Sequence, residues 1–101
     1  MSAAADTPAS GEGEVTVRYW ASVRAAQGRA SEQVDVPAGG FTVADLLRRI
    51  TEGREPRVAQ VVAACSLLLD ETAVHADRVG ETDVRPGAVV DLLPPFAGGA
   101  I

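Results

Sequence analysis

The sequence has no lysine and contains only one cysteine and one histidine among its 101 residues. All nine cationic residues are arginine, so the chain offers no ε-amine and cannot accept an isopeptide bond at lysine. A single cysteine excludes an intramolecular disulfide, which is typical of the reducing cytoplasm. No histidine and cysteine spacing suits a metal, so we expect no metal site.

The sequence also lacks a basic stripe and a long apolar run. A net charge of −5 disfavours binding to nucleic acid or to an anionic membrane, although it suits a partner with a basic surface. No apolar run approaches the roughly 20 residues of a membrane span. Residues 1–13 are small and polar and do not have the regions of a secretory signal, so we expect a disordered N-terminal tail in a cytoplasmic protein.

Two stretches near the N-terminus alternate between apolar and polar residues, as strands do. The first, residues 14–20, directs its apolar residues towards a core and leaves Trp20, the only tryptophan, on the opposite face. Two interpretations of Trp20 remain open: burial over a sheet edge, or an exposed anchor for a partner. The second stretch, residues 31–36, is expected to pair with the first.

Residues 42–53 carry the clearest helix signal. Thr42 is a good N-cap, and Asp45 three residues later makes a variant of the capping box. Gly53 is a typical stop. The apolar residues recur at helical spacing and form one face: Val43, Leu46, Leu47 and Ile50.

The other segments are shorter. They are a helix or turn at residues 21–28, a segment left open between helix and buried coil at residues 57–64, short strands at 66–69 and 72–75, an irregular stretch at 77–83, and a last strand at 88–93. This order predicts an α+β domain at residues 14–95. One main helix lying across a mixed sheet of four to five strands is the ubiquitin-like β-grasp arrangement.

The last strand leads into Pro94-Pro95-Phe96-Ala97-Gly98-Gly99-Ala100-Ile101. The two prolines end sheet pairing because neither has an N–H to donate. The glycines then give wide backbone freedom, so we expect residues 96–101 to form a thin, flexible tip suited to a narrow channel. Asp91 and Leu93 should face outwards, on the face of Trp20 if the first and last strands are neighbours.

The interior of the domain offers no convincing active site. Cys65 follows an apolar run and is best interpreted as a small buried hydrophobe. His75 ends a short strand and is expected at the surface. Since neither glycine pair opens a helix followed by Lys and Ser or Thr, no phosphate-binding loop is present. The C-terminal tip is therefore the leading functional candidate.

The chain resembles the MoaD/ThiS sulfur-carrier proteins, and most closely the small subunit of molybdopterin synthase. The resemblance covers roughly residues 15–99. It rests on four stretches: Val17-Arg18-Tyr19-Trp20-Ala21-Ser22-Val23-Arg24 leading to Gly28, Thr42-Val43-Ala44-Asp45-Leu46-Leu47, Arg85-Pro86-Gly87-Ala88-Val89-Val90, and Pro94-Pro95-Phe96-Ala97-Gly98-Gly99.

The resemblance implies a protein co-substrate rather than an enzyme. The carboxylate of Gly99 would be adenylated by an E1-like activating enzyme that uses ATP, and would then become a thiocarboxylate. That group would enter a large synthase subunit and donate sulfur to the pterin precursor. The chain itself would bind no cofactor and supply no catalytic side chain.

The resemblance also gives meaning to the residues around the tip. Ala97 and Gly98 would thread the partner's channel, because small residues avoid clashes there. Trp20, Leu93 and Phe96 would form an apolar docking patch. We further expect Asp91 to meet a basic partner.

The sequence departs from the family after Gly99, where Ala100 and Ile101 cover the required carboxylate. Three interpretations remain open. A peptidase cleaves between Gly99 and Ala100, or the last two residues are not native to this end, or the protein has diverged and donates no sulfur. The alternative functions are a sulfur carrier for thiazole, cysteine or a sulfur-containing natural product, a ubiquitin-like modifier, and a non-reactive β-grasp binding module.

Overall fold

The computed structural model describes residues 13–94, which form two sheets and three α-helices. The elements are β1 (Gly13–Tyr19), α1 (Ala21–Gln27), β2 (Ser31–Val36), β3 (Phe41–Thr42), α2 (Val43–Thr51), α3 (Pro56–Ala63), β4 (Ser66–Leu69), β5 (Thr72–Val74), a 3₁₀ turn (Ala76–Arg78), β6 (Asp83–Val84) and β7 (Val89–Leu93). The main sheet has the strand order β2-β1-β7-β4-β5. The expected N-terminal tail lies outside the described residues, except for Gly13, which already belongs to β1.

The first and last long strands are parallel neighbours in the main sheet. β1 pairs in parallel with β7, whereas every other pairing in this sheet is antiparallel. The sheet is therefore mixed and β7 is its middle strand, which confirms the predicted α+β class. The core joins buried residues of this sheet to buried residues of all three helices.

The alternation predicted for β1 is confirmed by the exposure of its side chains. Val15, Val17 and Tyr19 are 2% exposed or less, whereas Glu14 and Arg18 are exposed. Strand pleating puts successive side chains on opposite faces, so this pattern fixes which face of the sheet the helices cover. The outer face carries Arg18 and the residues aligned with it.

The capping box at the start of α2 forms as expected. The Asp45 N–H donates to Oγ1 of Thr42 at 3.2 Å, and the Thr42 N–H donates to Oδ2 of Asp45 at 3.1 Å. Leu46 and Ile50 are buried in the core, as the spacing predicted. Gly53 follows the helix with a φ of 76°, a conformation that favours glycine.

The segment that the sequence left open between helix and coil is α3. Pro56 occupies its first turn, where the missing N–H costs no hydrogen bond, and Val58 and Val62 are buried. With α1 and α2, this helix completes the helical layer. None of the helices between residues 13 and 94 is long and apolar enough to cross a bilayer.

The structure differs from the sequence-based expectation in an added pair of strands and in the ends of several elements; for example, β1 covers residues 13–19 rather than 14–20, and β7 begins at Val89 rather than at residue 88. Residues 77–83, expected to be irregular, include the end of the 3₁₀ turn and the first residue of β6, which pairs with β3 in a small second sheet. β5 ends one residue early, at Val74. Its hairpin with β4 turns through Asp70 and Glu71, both with positive φ, as a tight type I′ turn requires.

Candidate functional site

The candidate site lies where β1 and β7 end side by side. Because parallel strands place their carboxyl ends at one edge, the chain leaves β7 next to the residue that follows β1. The Trp20 N–H donates to the carbonyl oxygen of Leu92 at 3.1 Å and ties the two ends together. Pro94 is the last described residue. The predicted tip residues lie outside the described residues: Phe96, Ala97, Gly98, Gly99 and Ala100.

Among the large hydrophobic residues between positions 13 and 94, Trp20 is the one that is strongly exposed, with 46% of its surface accessible to solvent. This exposure favours the interpretation of Trp20 as a surface anchor over burial at a sheet edge. The backbone turns sharply after it, because Ala21 has a φ of 51° in the left-handed region. This conformation is uncommon for a residue with a Cβ and leads directly from Trp20 into α1.

Asp91 lies on the outer face of β7, yet it is only 5% exposed. Its Oδ1 accepts from Nε1 of Trp20 at 2.9 Å and from Nε of Arg18 at 2.7 Å, and its Oδ2 accepts from Nη2 of Arg18 at 2.9 Å. We name these residues, Arg18, Trp20 and Asp91, the Trp20 cluster. The carboxylate of Asp91 is covered and bonded within the chain, and the expectation that it meets a basic partner stays a prediction.

The charges of the Trp20 cluster are matched internally. The hydrogen bonds from Arg18 hold the pKa of Asp91 below its usual range, and the bond from Trp20 adds to this effect. The same carboxylate raises the pKa of Arg18. The guanidinium carbon of Arg18 also lies 5.8 Å from the centroid of the Trp20 ring, within the range of a cation–π contact. The pair therefore stays ionised and presents little net charge.

Apolar side chains continue the outer face beside the Trp20 cluster. Leu68 on β4 lies directly opposite Asp91, and Ser66 lies opposite Leu93, so all of these share one face. Leu68 and Leu93 are both half-buried. Leu93 thus lies on the outer face, as expected from the sequence, and Leu68 extends that apolar surface in a way the sequence did not predict.

Arg18 is the site residue that sequence reasoning missed. Arg18 and Trp20 are two residues apart along β1 and its end, so their side chains share a face. Asp91 belongs to the outward-facing residues of β7. The sequence does not reveal that β1 and β7 pair in the register that sets Arg18 opposite Asp91. Without it, an outward arginine and an outward aspartate have no reason to be paired.

The other candidates from the sequence do not form a reactive site. Burial raises the pKa of the Cys65 thiol, whose Sγ donates to the carbonyl oxygen of Val61 at 3.1 Å. A protonated, half-buried thiol fits the structural interpretation of Cys65. His75 is exposed, as expected. Within residues 13–94 no group of three or more His, Cys, Asp or Glu side chains is arranged to hold a metal ion.

Comparisons with known proteins agree on one family. The sequence model of the protein family described as "ThiS family" matches residues 17–99 of this chain. The chain is similar to the molybdopterin synthase sulfur carrier subunit of Mycosarcoma maydis, with 31% identity over 90 residues that cover 88% of this chain and 97% of the relative.

Solved structures extend the comparison to the fold. One is the putative molybdopterin converting factor subunit 1 from Pyrococcus furiosus, with a TM-score of 0.68 and 23% identity, covering 83% of this chain and 99% of that chain. Another belongs to the complex of subunits 1 and 2 of molybdopterin-converting factor from Helicobacter pylori, with a TM-score of 0.55 and 22% identity, covering 85% and 99%. At these identities the likeness concerns the fold alone, and it confirms the predicted ubiquitin-like β-grasp arrangement.

Proposed function

This chain belongs to the ThiS family, and on that basis we propose that it is a sulfur carrier for molybdopterin synthesis whose reactive group is the carboxyl group of Gly99. The observation that carries the proposal is the family match, which extends through Gly99. The relative from Mycosarcoma maydis, named a sulfur carrier subunit of molybdopterin synthase, supports the same role. The geometry is compatible, since the middle strand of the sheet ends beside exposed Trp20.

The proposed chemistry takes place at the carboxyl group of Gly99 and uses no side chain of this protein as a catalyst. A carboxylate oxygen of Gly99 attacks the α-phosphorus of ATP in an E1-like activating enzyme, and pyrophosphate leaves. A sulfur nucleophile then attacks the acyl carbon, and AMP leaves with the oxygen. The product is a C-terminal thiocarboxylate. The chain is thus a co-substrate and binds no cofactor of its own.

The proposed chemistry requires a free carboxylate at Gly99. Because Ala100 and Ile101 follow it in the sequence, we propose that a peptidase hydrolyses the Gly99–Ala100 bond before activation. Water supplies the oxygen of the new carboxylate, and the segment that begins at Ala100 leaves with a free amino group. This step makes sulfur loading dependent on prior processing.

The proposed partner in sulfur transfer is a large synthase subunit. The four residues from Phe96 to Gly99 span at most about 14 Å when extended, which limits how deep the sulfur acceptor can lie. Trp20, Leu93 and Phe96 are the proposed apolar docking residues, with Trp20 supported by its exposure. The lone cysteine is compatible with a cytoplasmic location.

The proposal is tested by loading purified protein with sulfur. The full-length chain and a chain ending at Gly99 are each incubated with an E1-like activating enzyme, ATP and sulfide, and their intact masses are measured. We expect only the chain ending at Gly99 to exchange one oxygen for sulfur. A control chain ending at Ala97 lacks both glycines of the tip and should remain unloaded.

The same experiment, repeated with lysate proteins and with candidate sulfur acceptors added, separates the alternatives. No loading of the chain ending at Gly99, with a competent enzyme, contradicts the sulfur-carrier function and favours a non-reactive binding module. Covalent adducts with lysines of other proteins indicate a modifier. A loaded chain that transfers sulfur to a thiazole or cysteine precursor, but not to a pterin precursor, assigns the carrier to another pathway.

A further inference from the structure

The only polar side-chain atom of Trp20 is already hydrogen-bonded within the chain. Its Nε1 donates to Oδ1 of Asp91 at 2.9 Å, while nearly half of the residue remains exposed. An indole N–H enters an apolar environment at a cost unless it keeps a hydrogen bond. Here that bond persists in any complex that leaves the Trp20 cluster intact.

Arg18 keeps Asp91 in place to accept that bond. Two of its nitrogens bind the two carboxylate oxygens in a bidentate arrangement, at 2.7 and 2.9 Å. Such pairs are geometrically specific as well as strong. The Asp91 side chain is 7% exposed and the Arg18 side chain 46%, so the carboxylate lies beneath the guanidinium and indole groups that bind it.

We propose that Asp91 is a positioning residue that fixes the orientation of the Trp20 indole, and that the indole is a preformed anchor for an apolar recess that has no hydrogen-bond acceptor. This rests on the proposed docking of the chain to a large synthase subunit. A side chain fixed before binding loses less rotamer freedom on association, which strengthens binding. Specificity at this point then comes from shape and apolar contact, because Arg18 cancels the charge of Asp91.

The alternative is that the Trp20 cluster only joins β1 to β7 and stabilises the sheet. In that case its loss would lower stability without changing how Trp20 moves. Because the chain has a single tryptophan, its indole gives one N–H signal in a nitrogen-15 spectrum, and its motion is measured without ambiguity. The two interpretations are therefore separable in the free protein.

The first experiment compares the wild type with Asp91→Asn, Asp91→Ala and Arg18→Lys by indole relaxation and hydrogen exchange. We expect the indole N–H of Asp91→Ala to exchange about tenfold faster or more, and its heteronuclear NOE to fall, because a hydrogen bond to a charged acceptor is lost. Asp91→Asn retains an acceptor and should be intermediate. Arg78→Ala, which removes an exposed ion pair with Glu81, is the matched control and should match the wild type.

The second experiment measures binding to the large molybdopterin synthase subunit of the same organism. Trp20→Phe should retain affinity within about tenfold because the recess requires no N–H, whereas Trp20→Ala should lose about thirtyfold or more. Asp91→Ala should weaken binding and mobilise the indole together. Arg18→Lys keeps the charge and should show the same coupled change on a smaller scale.

Two results would overturn the inference. One is an indole in folded Asp91→Asn and Asp91→Ala that is as immobile as in the wild type. The other is an equal loss of binding in Trp20→Phe and Trp20→Ala. The free-chain measurement does not depend on sulfur chemistry. Failure of the Gly99-ending chain to be loaded would reject the proposed function while leaving the positioning by Asp91 standing.

Discussion

Trp20 and Asp91 lie 71 residues apart in the sequence and are joined by a hydrogen bond of 2.9 Å between Nε1 and Oδ1. The bond spans neighbouring parallel strands at the edge where the chain leaves the sheet. It places an exposed aromatic ring and the root of the C-terminal segment side by side. The fold thus places the proposed docking residue Trp20 and the end of β7 at the same edge of the sheet.

Replacing Trp20 by alanine is expected to weaken binding to the large synthase subunit. We expect a loss of roughly 2 kcal/mol or more, as for a central aromatic anchor. The chain should remain folded, since Trp20 is exposed and lies outside the core cluster. Titration calorimetry gives the affinity, and circular dichroism verifies the fold. Unchanged affinity would reject the docking role of Trp20.

Acid should destabilise the protein partly through Asp91. The pKa of Asp91 is lowered by Arg18 in the folded chain, so the unfolded chain takes up the proton first as the pH falls. The contribution of Asp91 is complete well above the ordinary carboxyl pKa of 3.8 and is lost as the pH falls through the lowered folded value.

The free energy of unfolding of Asp91→Asn should therefore depend less on pH than that of the wild type as the pH falls through 3.8 and below. Urea denaturation at a series of pH values measures this slope. The variant Asp77→Asn, in the exposed 3₁₀ turn, provides the comparison. Parallel pH profiles for wild type and Asp91→Asn would contradict the ion pair.

The capping box predicts a loss of stability on changing Thr42 to alanine. The variant loses the acceptor for the Asp45 N–H, so the free energy of unfolding should fall by about 1 kcal/mol. Thr72→Ala, at an exposed position of edge strand β5, removes the same atoms without removing a helix cap. Equal denaturation midpoints for the two variants would indicate that the cap contributes nothing.

Gly87 should resist substitution because of its backbone conformation alone. It has a φ of 90°, and a Cβ added there would meet no heavy atom within 4 Å. Gly87→Ala should therefore cost about 1–2 kcal/mol of unfolding free energy through left-handed strain. Gly39→Ala also adds a Cβ in open space, but without a positive φ, and should leave the midpoint nearly unchanged. Equal costs would exclude the strain explanation.

Local signals in the sequence predicted much of the fold. The alternation of β1, the boundaries of β2 and the Thr42 cap depend on neighbouring residues, and the structure agrees with each. The pair of β3 and β6 was missed because strands of two residues carry no period. The sequence of α3 does not distinguish a helix from buried coil, because its short apolar run suits either.

The sequence predicts only those features of the candidate site that depend on the position of a single residue within its own strand. The alternation of side chains along a strand predicts that Trp20 at the end of β1 and Leu93 at the end of β7 face outwards. The pairing of Arg18 with Asp91 required the register of two strands separated by most of the chain, which no local pattern specifies. For the same reason, the sequence predicts the outward position of Asp91 but not the burial of its carboxylate beneath Arg18 and Trp20.

The proposed sulfur-carrier function is tested most directly by the intact mass of this protein recovered from the organism that encodes it. We predict a form that lacks Ala100 and Ile101 and carries sulfur in place of one carboxyl oxygen at Gly99. Alkylation of the thiocarboxylate before analysis should shift only that form. Recovery of full-length chain alone, with no thiocarboxylate under conditions of active molybdopterin synthesis, would contradict the sulfur-carrier function.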